Sequence, residues 1–482
     1  MPIDPLCTMS ATALAEKIRS RQVTSEQVVS AHIARLRLVN PALNAVVRDR
    51  YDAALAEARA ADVRIATGDR DLPPLFGVPC SIKESFALKG MPNTAGLVSR
   101  RGRLATEDAV TVRRVREAGA IPLGVTNTSE LCMWMESTNR VYGRTGSAFA
   151  PDRTAGGSSG GEGAVVGAAG APFGLGSDIG GSIRMPAFFN GVFGHKASSG
   201  LVPATGQFPI PEGATLGCLS TGPITRRAED LMPLLRLLAG PDGVDPSCVA
   251  AVLHEPRDVS LRELEVLDVR ERILMPVEAS LLDAQDRAAA ALSRRGARVR
   301  TARFPRLARG IEVWAARLEE GGGPTFEEMM TEGKSLRLAR EFARWAIGRS
   351  PHTLPALGLA GLERITKRLP NVTQARLVDA REMRAEVEAA LGDRGVMLFP
   401  SHQRPAPRHG AALLPPIGWG YTAVFNALEL PVTQVPLGLD RQGVPLGIQV
   451  VASHGNDHLT IAVALALEES LGGWSPPDQW AA

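Results

Sequence analysis

Two serines and one lysine are the residues of this chain best suited to acyl-transfer chemistry. Ser158 lies in a glycine-rich run at 156–161, and Ser182 lies in a second such run at 176–184. Glycine lets the backbone approach a ligand closely, so turns of this kind can converge several N–H groups on a developing negative charge. Lys83 ends a short apolar stretch that predicts a strand, which would direct the amine to the sheet edge where α/β proteins place their catalytic groups.

A serine hydroxyl is a weak nucleophile unless a base removes its proton. Histidine is the usual base, but of the eight histidines only His195 lies near either serine run, and its position is more typical of a hydrogen-bonded polar residue at the end of an element. A lysine can replace histidine when it is neutral, because burial disfavours the ammonium and can lower its pKa from about 10.4 toward neutrality. The apolar residues that precede Lys83 are consistent with such burial.

The pattern around these residues predicts an α/β fold. A capping signal at 24–27 and helical spacing after it predict helices within 8–65. Strand-like stretches at 75–82 and 120–126 enclose a helical stretch at 106–118, an order typical of parallel strands covered on both faces. Five further strands and a closing helix are predicted at 171–178, 272–275, 396–400, 430–436, 446–451 and 457–471.

The segment 305–375 differs from the rest of the chain. It is rich in arginine, and its apolar residues are interrupted by proline and glycine. Three interpretations remain open: helices packed on the outside of the core, a cap that gives the substrate pocket an apolar wall, or a membrane-surface patch. The last would use the four arginines that lie beside apolar residues, namely Arg337, Arg340, Arg344 and Arg349.

The two serine runs resemble the signature region of the amidase signature family, whose members hydrolyse amides with a Ser-Ser-Lys triad. The segments 77–79, 124–127, 222–223 and 447–449 also resemble landmarks of that family. Within it, the segments 157–163, 177–194 and 455–460 are most similar to the fatty acid amide hydrolases of the second mammalian type. The resemblance implies one α/β domain over 1–482, with a mixed central sheet covered by helices on both faces and a signature core at 70–235.

Carried over by residue, the resemblance makes Ser182 the nucleophile, Ser158 a bridging serine after a cis peptide bond, and Lys83 the base. The oxyanion would be held by the backbone N–H groups of Ile179, Gly180, Gly181 and Ser182. Supporting roles at the two serine loops fall to Ser159, Asp178, Arg184 and Gly157. Met133 and Trp134 are expected to line the substrate pocket.

Composition excludes several other classes of protein. The 482 residues carry 54 Lys and Arg against 51 Asp and Glu, so a net charge of +3 gives no reason to expect a nucleic-acid partner. The five cysteines are widely spaced and fit neither a disulfide framework nor a zinc site. The uncharged run 163–176 is rich in glycine and shorter than the ~18 apolar residues of a membrane span. We therefore expect a cytoplasmic enzyme without a metal, a cofactor or a transmembrane segment, and a homodimer is compatible with the sequence.

The expected substrate is a small-molecule amide with an apolar acyl or aryl group, fatty amides being one option, and carbamates and esters are open to the same chemistry. Two alternatives stay open. The spacing Gly156-x-Ser158-x-Gly160 also matches the nucleophile elbow of an α/β-hydrolase-like esterase, although the residues before it are typical of a loop rather than a strand. An amidotransferase subunit would share the triad. A nucleotide-binding module is disfavoured, because neither phosphate-binding glycine pattern occurs.

Overall fold

The protein is described here by a computed structural model, which covers residues 3–273, 275–366, 370–411 and 418–480. Its strands are β1 (Val46–Asp49), β2 (Pro79–Lys83), β3 (Ile121–Thr126), β4 (Thr138–Asn139), β5 (Gly143–Arg144), β6 (Phe173–Asp178), β7 (Phe193–Lys196), β8 (Ser220–Thr225), β9 (Glu265–Val269), β10 (Arg298–Ala302), β11 (Gly395–Pro400), β12 (Val432–Leu439) and β13 (Pro445–Ala452).

Helices cover the strands. They are α1 (Ala11–Arg19), α2 (Ser25–Leu43), α3 (Tyr51–Ala66), α4 (Val110–Glu117), α5 (Gly160–Gly167), α6 (Arg184–Phe189), α7 (Leu231–Leu238), α8 (Ala279–Arg294), α9 (Gly310–Glu320), α10 (Phe326–Thr331), α11 (Leu338–Ala346), α12 (Leu354–Thr366), α13 (Pro370–Leu391), α14 (Gly420–Ala427) and α15 (Asp457–Leu471).

Within the described residues, eleven strands form one sheet in the order β1-β3-β2-β6-β8-β7-β12-β13-β11-β9-β10. Strands β3, β2 and β6 are parallel, as are β11, β9 and β10, whereas the strands between these two groups pair antiparallel. The prediction of one α/β domain with a mixed sheet between helices is confirmed. The parallel pairing expected from the first strand-helix-strand unit applies to the β2–β3 pair and not to the centre of the sheet.

Local sequence signals explain several of these elements. Helix α2 begins at a capping box in which Thr24 and Gln27 exchange side-chain to backbone hydrogen bonds. Helix α15 covers the predicted stretch 457–471 and is buried along most of its length, packed on β12 and β13. The prediction of a strand at 272–275 is wrong, because the strand of this region is β9 at Glu265–Val269. Residue 274 lies outside the described residues.

The segment 305–375 contains α9, α10, α11, α12 and the start of α13, and residues 367–369 of it lie outside the described part. Buried apolar residues of its 326–360 part form a hydrophobic cluster with Leu97 and Leu131 of the main body, whereas Leu307 and Val313 belong to a separate cluster with strand and α14 residues. Helices α10 to α12 are called the cap below. In the described part of the chain, no helix combines the length and the apolar character that crossing a bilayer requires.

Candidate active site

Two neighbouring parallel strands place Lys83 close to the second serine run. Lys83 is the last residue of β2, and Ser177 and Asp178 end β6, which pairs with β2. The carboxyl ends of parallel strands meet at one edge of a sheet, which is why these side chains converge. Ser158 lies just before α5, and Ser182 lies in the loop between β6 and α6.

The Lys83 amine is fully buried and hydrogen-bonded to two serines. Its Nζ lies 2.7 Å from Ser158 Oγ and 2.9 Å from Ser177 Oγ. Burial lowers the pKa of Lys83 below its usual value, while Cys132 and Asp178 partly offset this effect. The amine is therefore in an environment that favours its neutral, basic form.

The two predicted serines belong to loops that contact one another. The Gly157–Ser158 peptide bond is cis, and the Ser158 carbonyl accepts a hydrogen bond from Ser137 Oγ at 2.9 Å. The backbone N–H of Ser159 donates to the carbonyl of Ser182 at 3.2 Å. A Cβ atom on Gly157 would lie only 2.4 Å from the carbonyl oxygen of Trp134, so glycine is required there by close packing.

Ser159, which was predicted to support the serine loops, makes its contacts with Ser177 and Ser182. Its hydroxyl donates to the Ser177 carbonyl at 3.4 Å, and we find no hydrogen bond from it to Lys83 or Ser158 in the described chain. Ser159 therefore contacts the site through the Ser177 carbonyl and through the backbone of Ser182.

Asp178 organises the loop that carries Ser182. Its carboxylate accepts hydrogen bonds from the N–H groups of Gly181 at 2.6 Å and Ile183 at 3.1 Å. The same carboxylate forms a bidentate pair with Arg184, in which Nε lies 3.0 Å from Oδ2 and Nη2 lies 3.0 Å from Oδ1. Burial alone would raise the pKa of Asp178, but the arginine and the donated hydrogen bonds hold it well below its usual range. The predicted supporting pair is thus a buried ion pair that fixes the loop.

The four residues predicted to hold an oxyanion separate into two groups. Ile179, Gly180 and Ser182 line the larger cavity described below, and their N–H groups have no hydrogen-bond partner among the described residues. Gly181 does not line it, and its N–H is directed to Asp178. The structure therefore contradicts the expectation that the Gly181 N–H faces a substrate, because the carboxylate already holds that donor.

Side chains from other parts of the fold hold the two carbonyl groups of this turn. Trp314 of α9 donates its indole N–H to the Ile179 carbonyl at 2.6 Å, and Thr422 Oγ1 donates to the Gly180 carbonyl at 2.7 Å. These contacts determine the orientation of the peptide planes. They leave the N–H groups of Ile179 and Gly180 unpaired within the described chain.

Two cavities meet at Ser182, which retains 7% of its surface exposed. The larger one has a volume of about 370 Å³ and a largely apolar lining that includes Met133, Trp134, Trp314, Leu354, Leu359 and Trp419. The smaller one has a volume of about 150 Å³ and a more polar lining, to which Ser85, Gln207 and Glu212 contribute. Met133 lines both cavities and Trp134 lines the larger, at the positions where a pocket was expected.

Comparison with known proteins identifies the family. The model of the family described as Amidase matches residues 27–461 of this chain. The chain belongs to the amidase signature family. As a member of it, this protein is an amide hydrolase.

The relatives and the solved structures agree with that assignment. This amidase is 46% identical to fatty-acid amide hydrolase 2-B of Danio rerio over 98% of the chain and 91% of that protein. It is 42% identical to fatty-acid amide hydrolase 2 of Homo sapiens over 99% of the chain and 92% of that protein. The solved structure of 6-aminohexanoate cyclic dimer hydrolase superposes with a TM-score of 0.79 at 25% identity, covering 97% of this chain and 98% of that one.

Sequence reasoning missed three residues of this amidase site. Ser177 accepts a hydrogen bond from Lys83, and its place directly before Asp178 at the end of an apolar strand was an available signal. Glu162 is buried behind the lysine, where it accepts hydrogen bonds from Ser81 of β2 and Thr126 of β3. Burial raises the pKa of Glu162 to about 7. Trp314, the third of these residues, lies in the segment whose role the sequence left open.

Proposed function

We propose that this protein hydrolyses amides through an acyl-enzyme on Ser182, with Ser158 as the proton relay and Lys83 as the base. One observation carries the proposal: the buried Lys83 amine lies 2.7 Å from Ser158 Oγ. The loop that contains Ser158 in turn contacts the backbone of Ser182. Burial lowers the pKa of Lys83, which supports its role as a neutral base. A neutral amine can accept a proton near physiological pH, which an ammonium cannot.

In the proposed reaction, Ser182 Oγ attacks the carbonyl carbon of the amide. Its proton passes to Ser158 Oγ as the proton of Ser158 passes to the Lys83 amine. The resulting ammonium then returns a proton through Ser158 to the nitrogen of the leaving group, so that a neutral amine departs and the acyl-enzyme remains. In the second half-reaction the same relay removes a proton from a water molecule, which attacks the acyl-enzyme ester; the carboxylate is released and Ser182 regains its proton.

The tetrahedral intermediate needs donors for its oxyanion. The unpaired N–H groups of Ile179, Gly180 and Ser182 are the candidates, and we assign Gly181 the role of holding the loop through Asp178. Each donor of an oxyanion hole is typically worth about 10²–10³ in kcat. The hydrogen bonds to the two carbonyls of the turn, from Trp314 and Thr422, support this assignment because they fix the peptide planes in advance.

The two cavities suggest how a substrate would lie. The larger cavity suits an apolar acyl or aryl group, because tryptophan, methionine and leucine side chains supply most of its lining. The smaller and more polar cavity suits the amine that leaves. The names of the two relatives, fatty-acid amide hydrolases, agree with an apolar acyl group. Aryl carbamates and esters meet the same nucleophile and are proposed as further substrates.

Two alternatives are less well supported. An esterase that attacks with Ser158 would place this serine directly after a strand, whereas residues 145–157 form turns and isolated bridges. An amidotransferase subunit would act within a larger assembly, but the two relatives compared above carry the names of hydrolases.

The decisive experiment traps the acyl-enzyme analogue. The wild-type protein, Ser182→Ala and Ser158→Ala are each treated with a fluorophosphonate and mapped by peptide mass spectrometry. The proposal predicts a phosphonylated Ser182 in the wild-type protein and no adduct in Ser182→Ala. An adduct on Ser158 would contradict the proposal and favour the esterase.

A further inference from the structure

A buried carboxylate and imidazole connect the cap to the loop that forms the wall between the two cavities. His352 Nδ1 lies 2.7 Å from Glu130 Oε1, and the backbone N–H of Thr353 donates to Glu130 Oε2 at 2.8 Å. The Glu130 side chain is 2% exposed and the His352 side chain 10%. Both oxygens of this carboxylate are therefore used to hold one point of the cap.

The two ends of this contact continue directly into cavity walls. Glu130 is followed by Leu131, Cys132 and Met133, which line the smaller cavity, and the last two of these also line the larger one. His352 and Thr353 precede α12, whose Leu354, Pro355, Gly358, Leu359 and Leu362 line the larger cavity. Neither Glu130 nor His352 lines either of these two cavities. Their contact joins the loop that carries Met133 to the residues directly before α12.

Apolar packing acts at the same place but does not replace the polar contact. Leu131 packs in one cluster with Leu357 and Ala360 of α12 and with Phe326 and Met330 of α10. Hydrophobic contacts are non-directional and tolerate sliding, whereas a bidentate carboxylate fixes the register of the chain that it holds. The carboxylate therefore adds a directional constraint directly before α12 that the apolar cluster does not supply.

We propose that Glu130 and His352 form a latch that holds α12 against the larger cavity and thereby sets the preference for long apolar acyl groups. The proposal rests on the proposed function, since it requires the acyl group to occupy that cavity. Both are positioning residues. When the latch is opened, α12 withdraws, a long acyl chain loses its apolar wall, and a short acyl group that ends near Ser182 is unaffected.

The test compares Glu130→Gln and His352→Ala with the wild-type protein on two anilides that differ only in acyl length, acetyl and dodecanoyl. We expect kcat/KM for the dodecanoyl anilide to fall by about tenfold or more, mainly through KM, as removal of a hydrogen bond to a charged group commonly does. The acetyl anilide should change by less than about twofold. His352→Asn, which retains a donor near the position of Nδ1, should recover most of the loss.

A matched control separates the latch from general destabilisation. His195 and Asp457 form another buried imidazole and carboxylate pair, 3.0 Å apart, between β7 and α15 and outside both cavities. His195→Asn should lower the unfolding temperature and leave the ratio of kcat/KM for the two anilides at its wild-type value. If the latch variants reduce both substrates by the same factor, or leave the dodecanoyl anilide unchanged, the latch proposal is overturned.

Hydrogen exchange provides a readout that does not depend on activity. Amides of 354–364 should exchange faster in Glu130→Gln and His352→Ala than in the wild-type protein, and the exchange of α15 should stay unchanged. Unchanged exchange of 354–364 in both variants would overturn the latch. If the wild-type protein hydrolyses neither anilide, the proposed function fails in that assay, whereas the exchange result still decides whether the contact holds α12.

Discussion

Replacing Arg184 by methionine should be among the most damaging single substitutions outside the proposed triad. The Arg184 and Asp178 side chains are both fully buried, and the guanidinium binds the carboxylate with two nitrogens at 3.0 Å. The remaining guanidinium hydrogen bonds go to the Thr422 carbonyl at 2.9 Å, Gln449 Oε1 at 2.7 Å and Asn426 Oδ1 at 2.6 Å. Methionine can fill part of the volume but satisfies none of these acceptors.

The expected loss follows from the carboxylate that remains. Breaking a buried ion pair by removing one partner typically costs about 3–5 kcal/mol, because the other charge stays buried without compensation. The exposed pair of Arg394 and Glu263, whose side chains are 70% and 59% exposed, provides the control. Arg394→Met should cost less than about 1 kcal/mol, since solvent screens an exposed pair.

The assay is equilibrium urea unfolding, followed by tryptophan fluorescence, together with kcat on an anilide. Arg184→Met should also reduce kcat, because Asp178 would no longer hold the loop of Ser182 in one conformation. The double variant Arg184→Met with Asp178→Asn should lose less than the sum of the two single variants, since it leaves no buried unpaired charge. An Arg184→Met protein within about 1 kcal/mol of the wild type would refute this reasoning.

Four further predictions follow, two on the base and one each on the serine loop and the larger cavity. The kcat/KM for an anilide should rise with pH as Lys83 loses its proton, with a midpoint below the ordinary lysine pKa of about 10.4 because burial lowers it. Glu162→Gln should move that midpoint to lower pH, since above about pH 7 the ionised carboxylate favours the ammonium; an unchanged or higher midpoint would contradict this. Gly157→Ala should lower both the urea midpoint and kcat, because its Cβ would lie 2.4 Å from a backbone oxygen, and a wild-type urea midpoint would count against the tight packing. Leu359→Trp should raise KM for a dodecanoyl anilide more than for an acetyl anilide in steady-state assays, because Leu359 lines the larger cavity. An equal effect on both substrates would contradict the placement of the acyl group in that cavity.

Much of the fold follows from local patterns, and the failures have a physical cause. Strands β11, β12 and β13 and helix α15 were predictable because each is a distinct apolar or periodic stretch. Strand β10 is an exception, since its residues are mostly exposed and include Arg298 and Arg300, so no apolar run marks it. The antiparallel centre of the sheet was equally hidden. It arises from pairings such as Gly176 with Gly222, which depend on residues distant in the sequence.

The site divides in a similar way. Glycine and serine motifs identified the loops of Ser158 and Ser182, and the acid and base of the buried ion pair lie within six residues of each other. The contacts that hold the Ser182 loop from outside could not be inferred, because Trp314 and Thr422 reach it from 135 and 242 residues away. The direction of the Gly181 N–H could not be predicted either, since a glycine motif does not reveal which N–H groups form hydrogen bonds within the protein.

The central claim is that the Lys83 amine, acting through Ser158, supplies the proton that an amine leaving group needs. The most direct measurement compares an amide and an ester with the same acyl group in the wild-type protein and in Lys83→Met. An alkoxide leaves more readily than an amide anion and needs less protonation, so the substitution should reduce kcat/KM for the amide far more than for the ester. An equal loss for both substrates, or full retention of amide turnover, would contradict the account.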